Sequence, residues 1–377
     1  MKRLSFILLI LLCAYTGRPA QNRLIDSEKR VEFWLNQQDK NKDGRIARNE
    51  SAGLMNRFFD RNDTNKDGFL DQTELIALAK RTTRNPVTKQ APARKSGQQS
   101  ISTEALMRRQ TDDIVIVPDL AYREGKSEAW KLDLVMPKAK ATKPRPGIVF
   151  IHGGGWRSGD KRTGTFLSGA IDYAQKGYVC ITINYRLINE ATFPACVEDV
   201  KCAVRWLRAN AKKYNVDPEH LGGYGNSASA HLVTMLGLVK QDAGLEGDGP
   251  YQDQSSLLQA VCASATPTDF KLFGGGRSQN SGLLKGDPDS VDERVRKASP
   301  INYIRKDAPP FLLIHGTADR TVNVKHADTF VAALKKAGAR DVTFIRIDDA
   351  GHGVFNQHTD RTKPAMEKFF NRTLRGE

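Results

Sequence analysis

The sequence lacks any hydrophobic run long enough to cross a bilayer. The longest, residues 4–14, is about eleven residues, roughly half the length of a membrane-spanning helix. Lys2 and Arg3 precede it and small residues follow, so residues 1–20 are expected to be a cleaved signal peptide. The chain is therefore expected to be exported, periplasmic or extracellular, without stable membrane insertion. Cys13 offers an alternative through lipid anchoring, which the bulky Leu12 before it disfavours. Cysteine is scarce, with 5 in 377 residues, which excludes a disulfide scaffold. Cys196 and Cys202 fall on one predicted helix about 9 Å apart along its axis, too far to bridge. Cys180 sits in an apolar strand and reads as a small buried hydrophobe. Acidic residues are outnumbered, 43 against 58 Lys and Arg, for a net charge of +15. Such a balance suits an acidic polymer such as a cell wall or anionic glycan. A lysine-rich solvated surface is the simpler account, and no nucleic-acid partner is expected.

What is present begins with a repeat. DKNKDGRIARNE at residues 39–50 and DTNKDGFLDQTE at residues 63–74 both satisfy D-x-[DN]-x-[DN]-G-x5-E. Both loops resemble an EF-hand. Asp39, Asn41 and Asp43, and again Asp63, Asn65 and Asp67, place oxygens at loop positions one, three and five. Arg45 and Phe69 would each offer a backbone carbonyl, and Glu50 and Glu74 would close the sphere bidentately. Asp71 at the ninth position of the second loop, against Ala47 in the first, predicts tighter calcium binding at the second. The expected module spans residues 28–80, is all-α, shares a helix at 51–62 between its loops, and holds Ca2+ structurally.

Residues 81–110 include RTTRNPVTKQAPARKSGQQS, basic and without apolar periodicity, and read as a flexible linker. From residue 111 to 377 short apolar strands alternate with helical patterns. GIVFI at 147–151 and YVCITIN at 178–184 are continuous apolar runs of the kind buried in parallel sheets. Residues 194–214 form an amphipathic helix with Val197, Val200, Ala203, Val204 and Leu207 on one face. This alternation predicts an α/β fold with a doubly wound, mostly parallel sheet, whose ligand site lies at the carboxyl ends of the strands.

The chemistry clusters there. In GGYGNSASAHL, Ser227 ends an apolar strand and begins a helix, the setting a nucleophile elbow requires. Gly276-Arg277-Ser278 repeats the G-x-S spelling without a preceding strand and fails that test. His352 in DDAGHGVF is the expected base and Asp319 in HGTADRTV the expected carboxylate. Asp269 is the runner-up acid, while Asp348 and Asp349 share the histidine's own loop and are poorly placed to orient it. IHGGGW at 151–156 supplies free backbone N–H groups, so Gly154 and Gly155, with Ala228, are the expected oxyanion donors. His152 is expected to organise that loop, and His231 and His315 to pack and hydrogen-bond.

HGGGW, Tyr185-Arg186, FPACVEDVKCAVRWLRANA, GNSASAHL, HGTADRTV and GHG together resemble the α/β-hydrolase esterases of the hormone-sensitive-lipase and BD-FAE-like carbohydrate-esterase group. The resemblance covers about residues 112–375 and departs at the elbow, where Ser229 and Ala230 replace two glycines usual in the family. It implies hydrolysis of short-chain carboxylic esters through an acyl-enzyme, without a catalytic metal. Acetyl or feruloyl groups on glycans would be one substrate class. Residues 266–309, too long for a simple connection between two strands, are expected to form a small cap that shapes the substrate pocket. Two other readings stay open: a serine peptidase of the prolyl-oligopeptidase type, and a non-catalytic calcium-dependent binding protein on the same scaffold.

Overall fold

The computed structural model describes residues 31–32, 34–51, 59–82, 100–273, 282–285 and 291–377. The expected signal peptide with Cys13, most of the basic linker, Ser278 and much of the helix expected at 51–62 lie outside them. The chain divides into two compact units, residues 1–94 and 95–377.

In the first unit, β1 (Ile46–Ala47) and β2 (Phe69–Leu70) pair antiparallel, Ile46 opposite Leu70 and Ala47 opposite Phe69. They are followed by α1 (Gln72–Thr82). Gly44 and Gly68 take φ of +83° and +84°, the left-handed turn that places glycine at the sixth loop position. Asp39 accepts the Gly44 N–H at 2.9 Å and Asp63 the Gly68 N–H at 3.0 Å. Ile46, Phe59, Leu70, Leu75 and Ala79 form a small core beneath the pair. Two sets of side-chain hydrogen bonds run through the loops. Asp71 accepts the Glu74 N–H at 2.9 Å and Glu74 accepts the Asp71 N–H at 3.3 Å, a reciprocal cap on α1. Glu50 and Glu74 also accept loop N–H groups, those of Lys40 and Ala47 and that of Asn65 among them. Among the described residues no three His, Cys, Asp or Glu side chains gather as a metal-holding group.

The second unit opens with α2 (Thr103–Met107) and is built on an eight-stranded sheet. Its strands are β3 (Ile114–Ala121), β4 (Lys131–Pro137), β5 (Arg145–Ile151), β6 (Val179–Ile183), β7 (Val216–Asn226), β8 (Ala260–Ser264), β9 (Phe311–Gly316) and β10 (Val342–Ile347), in the order 10-9-8-7-5-6-4-3. Only β4 opposes the rest, being antiparallel to both neighbours. Helices α3 (Gly164–Gln175), α4 (Ala195–Ala209), α5 (Ala211–Tyr214), α6 (Ala228–Leu238), α7 (Val291–Ala298), α8 (Lys325–Lys336), α9 (Val354–Gln357) and α10 (Thr359–Phe370) complete it. Side chains alternate across each strand, so β5 sends Val149 and Ile151 to the layer of α4 and α6, and Ile148 and Phe150 to the layer of α3 and α10. Each such fully buried side chain contributes roughly 1.5–3 kcal/mol.

The helix expected at 194–214 is broken. Asn210 ends α4, its side-chain amide donating to the Trp206 carbonyl at 2.9 Å, and Asn215 closes α5 at φ +54°. Nor is α4 exposed along a polar face: Lys201 and Arg205 are 0% exposed. Periodicity cannot show that residues 239–256 fold over that face. Lys201 donates to the Val239 carbonyl at 2.7 Å, Glu246 at 2.5 Å and Ser256 at 2.8 Å, while Arg205 pairs with the other Glu246 oxygen. Glu246→Ala would strand two buried cations. A loss of about 3–5 kcal/mol is expected in urea unfolding; a loss below about 1 kcal/mol would mean that water reaches them.

Candidate active site

Four loops at the carboxyl ends of β5, β7, β9 and β10 build the site. The turn after β7 holds Ser227 at φ +60°, ψ −122°, a conformation side chains rarely adopt and one that stores about 1–3 kcal/mol of strain. The Ser227 N–H donates to the Ser264 carbonyl of β8 at 2.9 Å, which fixes the elbow against the sheet. Gly225 is obligatory, since a Cβ there would lie 2.3 Å from the Ser229 carbonyl oxygen.

Ser229, the departure from the family pattern, closes this turn. Its hydroxyl donates to the Asn226 carbonyl and accepts the Asn226 N–H, both at 2.9 Å, and it is 0% exposed. A glycine there would leave both groups without that partner, so the side chain acts as a clip across the nucleophile's turn. Ser229→Gly restores the usual family residue and deletes the clip. Stability should fall by about 1–3 kcal/mol by thermal or urea unfolding. An unchanged midpoint would show that the backbone holds the turn unaided.

The other two members of the predicted triad arrive from distant loops. His352 Nε2 lies 2.8 Å from Ser227 Oγ, and its Nδ1 lies 2.8 Å from Asp319 Oδ2. The second Asp319 oxygen accepts the N–H groups of Thr321 at 2.8 Å and Val322 at 2.9 Å. Burial alone would raise the Asp319 pKa, but bonds from His315, His352 and the Val322 N–H outweigh it and hold the carboxyl well below its usual range. His315, expected to pack and hydrogen-bond, does both and reaches the acid: its Nε2 lies 2.9 Å from the Val322 carbonyl and 3.4 Å from Asp319 Oδ2. Asp269 instead accepts the Lys271 N–H at 2.9 Å at the start of a short 3-10 turn. Asp348 and Asp349 are exposed, and no bond links either to His352.

The loop after β5 carries Gly154 at φ +110° and Gly155 at φ +62°. A Cβ on Gly154 would sit 2.0 Å from the Ser158 carbonyl oxygen, so that tight turn admits only glycine. Among the described residues no backbone acceptor takes the N–H of Gly154, Gly155 or Ala228, the last being the first residue of α6. His152 organises this loop from below. Its ring stacks on Tyr185 at 4.5 Å, the Tyr185 hydroxyl donates to the His152 carbonyl at 3.0 Å, and burial lowers the imidazole pKa to about 4. His231 is likewise buried, its Nε2 2.8 Å from the Ala298 carbonyl, and burial lowers it to about 4. At its far end the loop is tied by Arg162, which donates to buried Asp133 at 2.7 Å and Asp119 at 2.7 Å.

Of the expected cap, the described parts are the 3-10 turns Phe270–Phe273 and Pro300–Tyr303 and helix α7. Leu283 and Leu284 are also buried, with the Leu283 carbonyl accepting the Phe193 N–H at 2.9 Å.

An α/β-hydrolase-like sheet with these loops defines the class of protein. Residues 132–334 match the BD-FAE family, to which the chain belongs. Esterase LipC of Mycobacterium tuberculosis is 30% identical over 262 residues, covering 67% of this chain and 64% of its own length. Esterase LipQ of the same organism is 30% identical over 274 residues, covering 68% and 60%. The match thus spans less than two thirds of these curated relatives. Among solved structures, a truncated carbohydrate esterase from gut microbiota superposes with a TM-score of 0.62 at 29% identity, covering 69% of this chain and 96% of that one. Thermogutta terrifontis esterase 2, phosphonylated by sarin, gives 0.57 at 27% identity, covering 67% and 94%.

Proposed function

We propose that the protein is an exported serine carboxylic ester hydrolase that acts through an acyl-enzyme on short-chain esters, acetyl or feruloyl groups on carbohydrate among them. The observation that carries the reading is the unbroken chain of 2.8 Å contacts from Ser227 through His352 to Asp319 beside unclaimed N–H groups. In the resting state His352 Nδ1–H donates to Asp319, leaving Nε2 to accept the Ser227 proton. Ser227 Oγ attacks the ester carbonyl, and the N–H groups of Gly154, Gly155 and Ala228 hold the developing oxyanion. His352 returns the proton to the departing alcohol, and a water activated by the same imidazole frees the acid. The esterase relatives and a structural neighbour that takes a phosphonyl group support this reading.

The N-terminal loops are assigned to calcium. The oxygen-rich set Asp39, Asn41, Asp43 and Glu50, with Asp63, Asn65, Asp67 and Glu74, is chemically suited to a hard cation, and the glycine turns and paired β1–β2 fit the same assignment. The ion would hold the two loops together structurally, and Glu50 and Glu74 would have to exchange loop N–H groups for it. Glu74→Gln should lose one of two binding events in calorimetry on the full chain, and Glu50→Gln the other. Unchanged stoichiometry in both variants would remove the assignment.

The esterase reading is tested with p-nitrophenyl acetate, with and without a serine-reactive phosphonate. Turnover that the reagent abolishes with one equivalent incorporated supports it. Absence of turnover on acetyl, feruloyl and other short-chain esters would leave the scaffold non-catalytic.

A further inference from the structure

At the opposite end of the sheet from the candidate active site, the chain carries a second organised surface. β4 runs against the other strands, so its turn into β5 falls beside the starts of β5 and β7, and this turn reads Lys138-Ala139-Lys140-Ala141-Thr142-Lys143. Two adjoining concavities meet along it, sharing Lys140, Ala141 and Arg145. One extends to Lys213, the other to Lys143 and Arg375.

The turn is held from within. Asn215 donates its side-chain amide to the Ala141 carbonyl at 3.4 Å and the Lys143 carbonyl at 3.3 Å, and accepts the Arg145 N–H on its own carbonyl at 2.9 Å. Arg145 spans from the Ala139 carbonyl at 3.1 Å to the Gly177 carbonyl at 3.3 Å. The backbone carbonyls are thereby turned inward, and Lys138, Lys140 and Lys143 are exposed. Among the described residues none of these three, nor Lys212 or Lys213, pairs with a carboxylate. The two acids that line the concavities each have a local partner, Asp217 with His220 at 2.9 Å and Glu377 with Arg375 at 3.8 Å, and Asp113 lies beside Lys138, its carbonyl accepting the Lys138 N–H at 2.8 Å.

We propose that this surface binds an anionic polysaccharide, a polymer bearing carboxylates along its chain, as a docking site separate from the candidate catalytic one. The physical case has three parts. Uncompensated like charges on a fixed turn repel one another, and a polyanion relieves that repulsion while releasing its own counterions. Because the turn is already ordered, little conformational entropy is lost on binding. The β5 strand separates the two surfaces by about 20 Å, so a polymer held here leaves the serine's mouth open and raises the local concentration of neighbouring chains. Lysines act as point charges rather than bidentate forks, which suits dispersed carboxylates. The described lining presents no exposed Phe, Tyr or Trp ring for base stacking, which disfavours single-stranded nucleic acid. The choice of a glycan rests on the proposed carbohydrate-ester reading.

The test is direct binding of the full-length chain to polygalacturonate. It is run on the Ser227→Ala background as well, so that its outcome is independent of ester hydrolysis. Affinity should fall by about tenfold or more between about 50 and 300 mM salt. The Lys138→Glu, Lys140→Glu, Lys143→Glu triple variant should bind at least about tenfold more weakly at low salt, with p-nitrophenyl acetate turnover on the Ser227 background unchanged within about twofold. Lys→Gln at the same three positions, with a thermal midpoint for each variant, separates loss of charge from loss of fold. Undiminished polygalacturonate binding in a folded triple variant overturns the proposal. So does tighter binding of duplex DNA or of anionic phospholipid vesicles than of polygalacturonate at equal ionic strength, which would assign the surface to another class of partner.

Discussion

Ser227→Ala should lower kcat/KM for p-nitrophenyl acetate by more than about a thousandfold, while leaving the unfolding midpoint within about 1 kcal/mol of the parent. The hydroxyl's mapped contact is the 2.8 Å one to His352 Nε2, and it caps nothing in α6. Its removal therefore deletes the attacking atom without disturbing the elbow, whose N–H still reaches the Ser264 carbonyl. Alanine retains the Cβ, so the strain at φ +60° is retained too. Residual turnover of a tenth or more would move the nucleophile elsewhere. Collapse of the fold would instead show that the hydroxyl stabilises the turn.

Asp319→Asn is expected to lower kcat by about 10^3–10^4 with little change in KM. The asparagine oxygen can still accept the N–H groups of Thr321 and Val322, so the loop after β9 should stay folded. Its amide nitrogen then faces His352 Nδ1 and donates where the carboxylate accepted. The imidazole must move its proton to Nε2, where it faces Ser227 Oγ and can no longer accept. A second readout follows from linkage. The carboxyl of Asp319 is depressed on folding, so its contribution to stability is complete above the unfolded carboxylate range, near about pH 4. That contribution is lost as pH falls through the lower folded value. Acid unfolding should therefore begin at higher pH relative to neutral stability in the parent than its Asn variant shows. If Asp319→Asn retains most of its activity, another acid orients the imidazole, and Asp269 is the next to test.

The strands were legible because fully buried parallel strands are written as apolar runs. The runs read at 147–151 and 178–184 correspond to β5 (Arg145–Ile151) and β6 (Val179–Ile183). The triad residues were legible because each follows such a run in a short loop containing glycine or another small residue. Helix α4 shows where this kind of reading fails. Its apolar positions repeat at helical spacing, yet Lys201 and Arg205 on the remaining face are buried because a later segment supplies Glu246, Ser256 and a carbonyl. Ser229 was visible as a departure from the family pattern, but its two bonds to Asn226 depend on a turn geometry that spelling does not encode. His315 reads as a packing and hydrogen-bonding residue, but the spelling does not show that the turn after β9 brings Asp319, four residues on, against its ring edge.

By itself the sequence determined the alternation of strands and helices, the glycine turns, and which serine, aspartate and histidine stand at strand ends. These are local properties, set by side-chain periodicity and by backbone conformations that only small residues tolerate. Tertiary structure alone decided the strand order, the reversal of β4 and the meeting of Ser227, His352 and Asp319 within hydrogen-bonding distance. It also decided which charges are buried and which stand unpaired on the far side of the sheet. Those outcomes depend on contacts between residues far apart in the chain, and such contacts exist only after the helices have closed over both faces of the sheet.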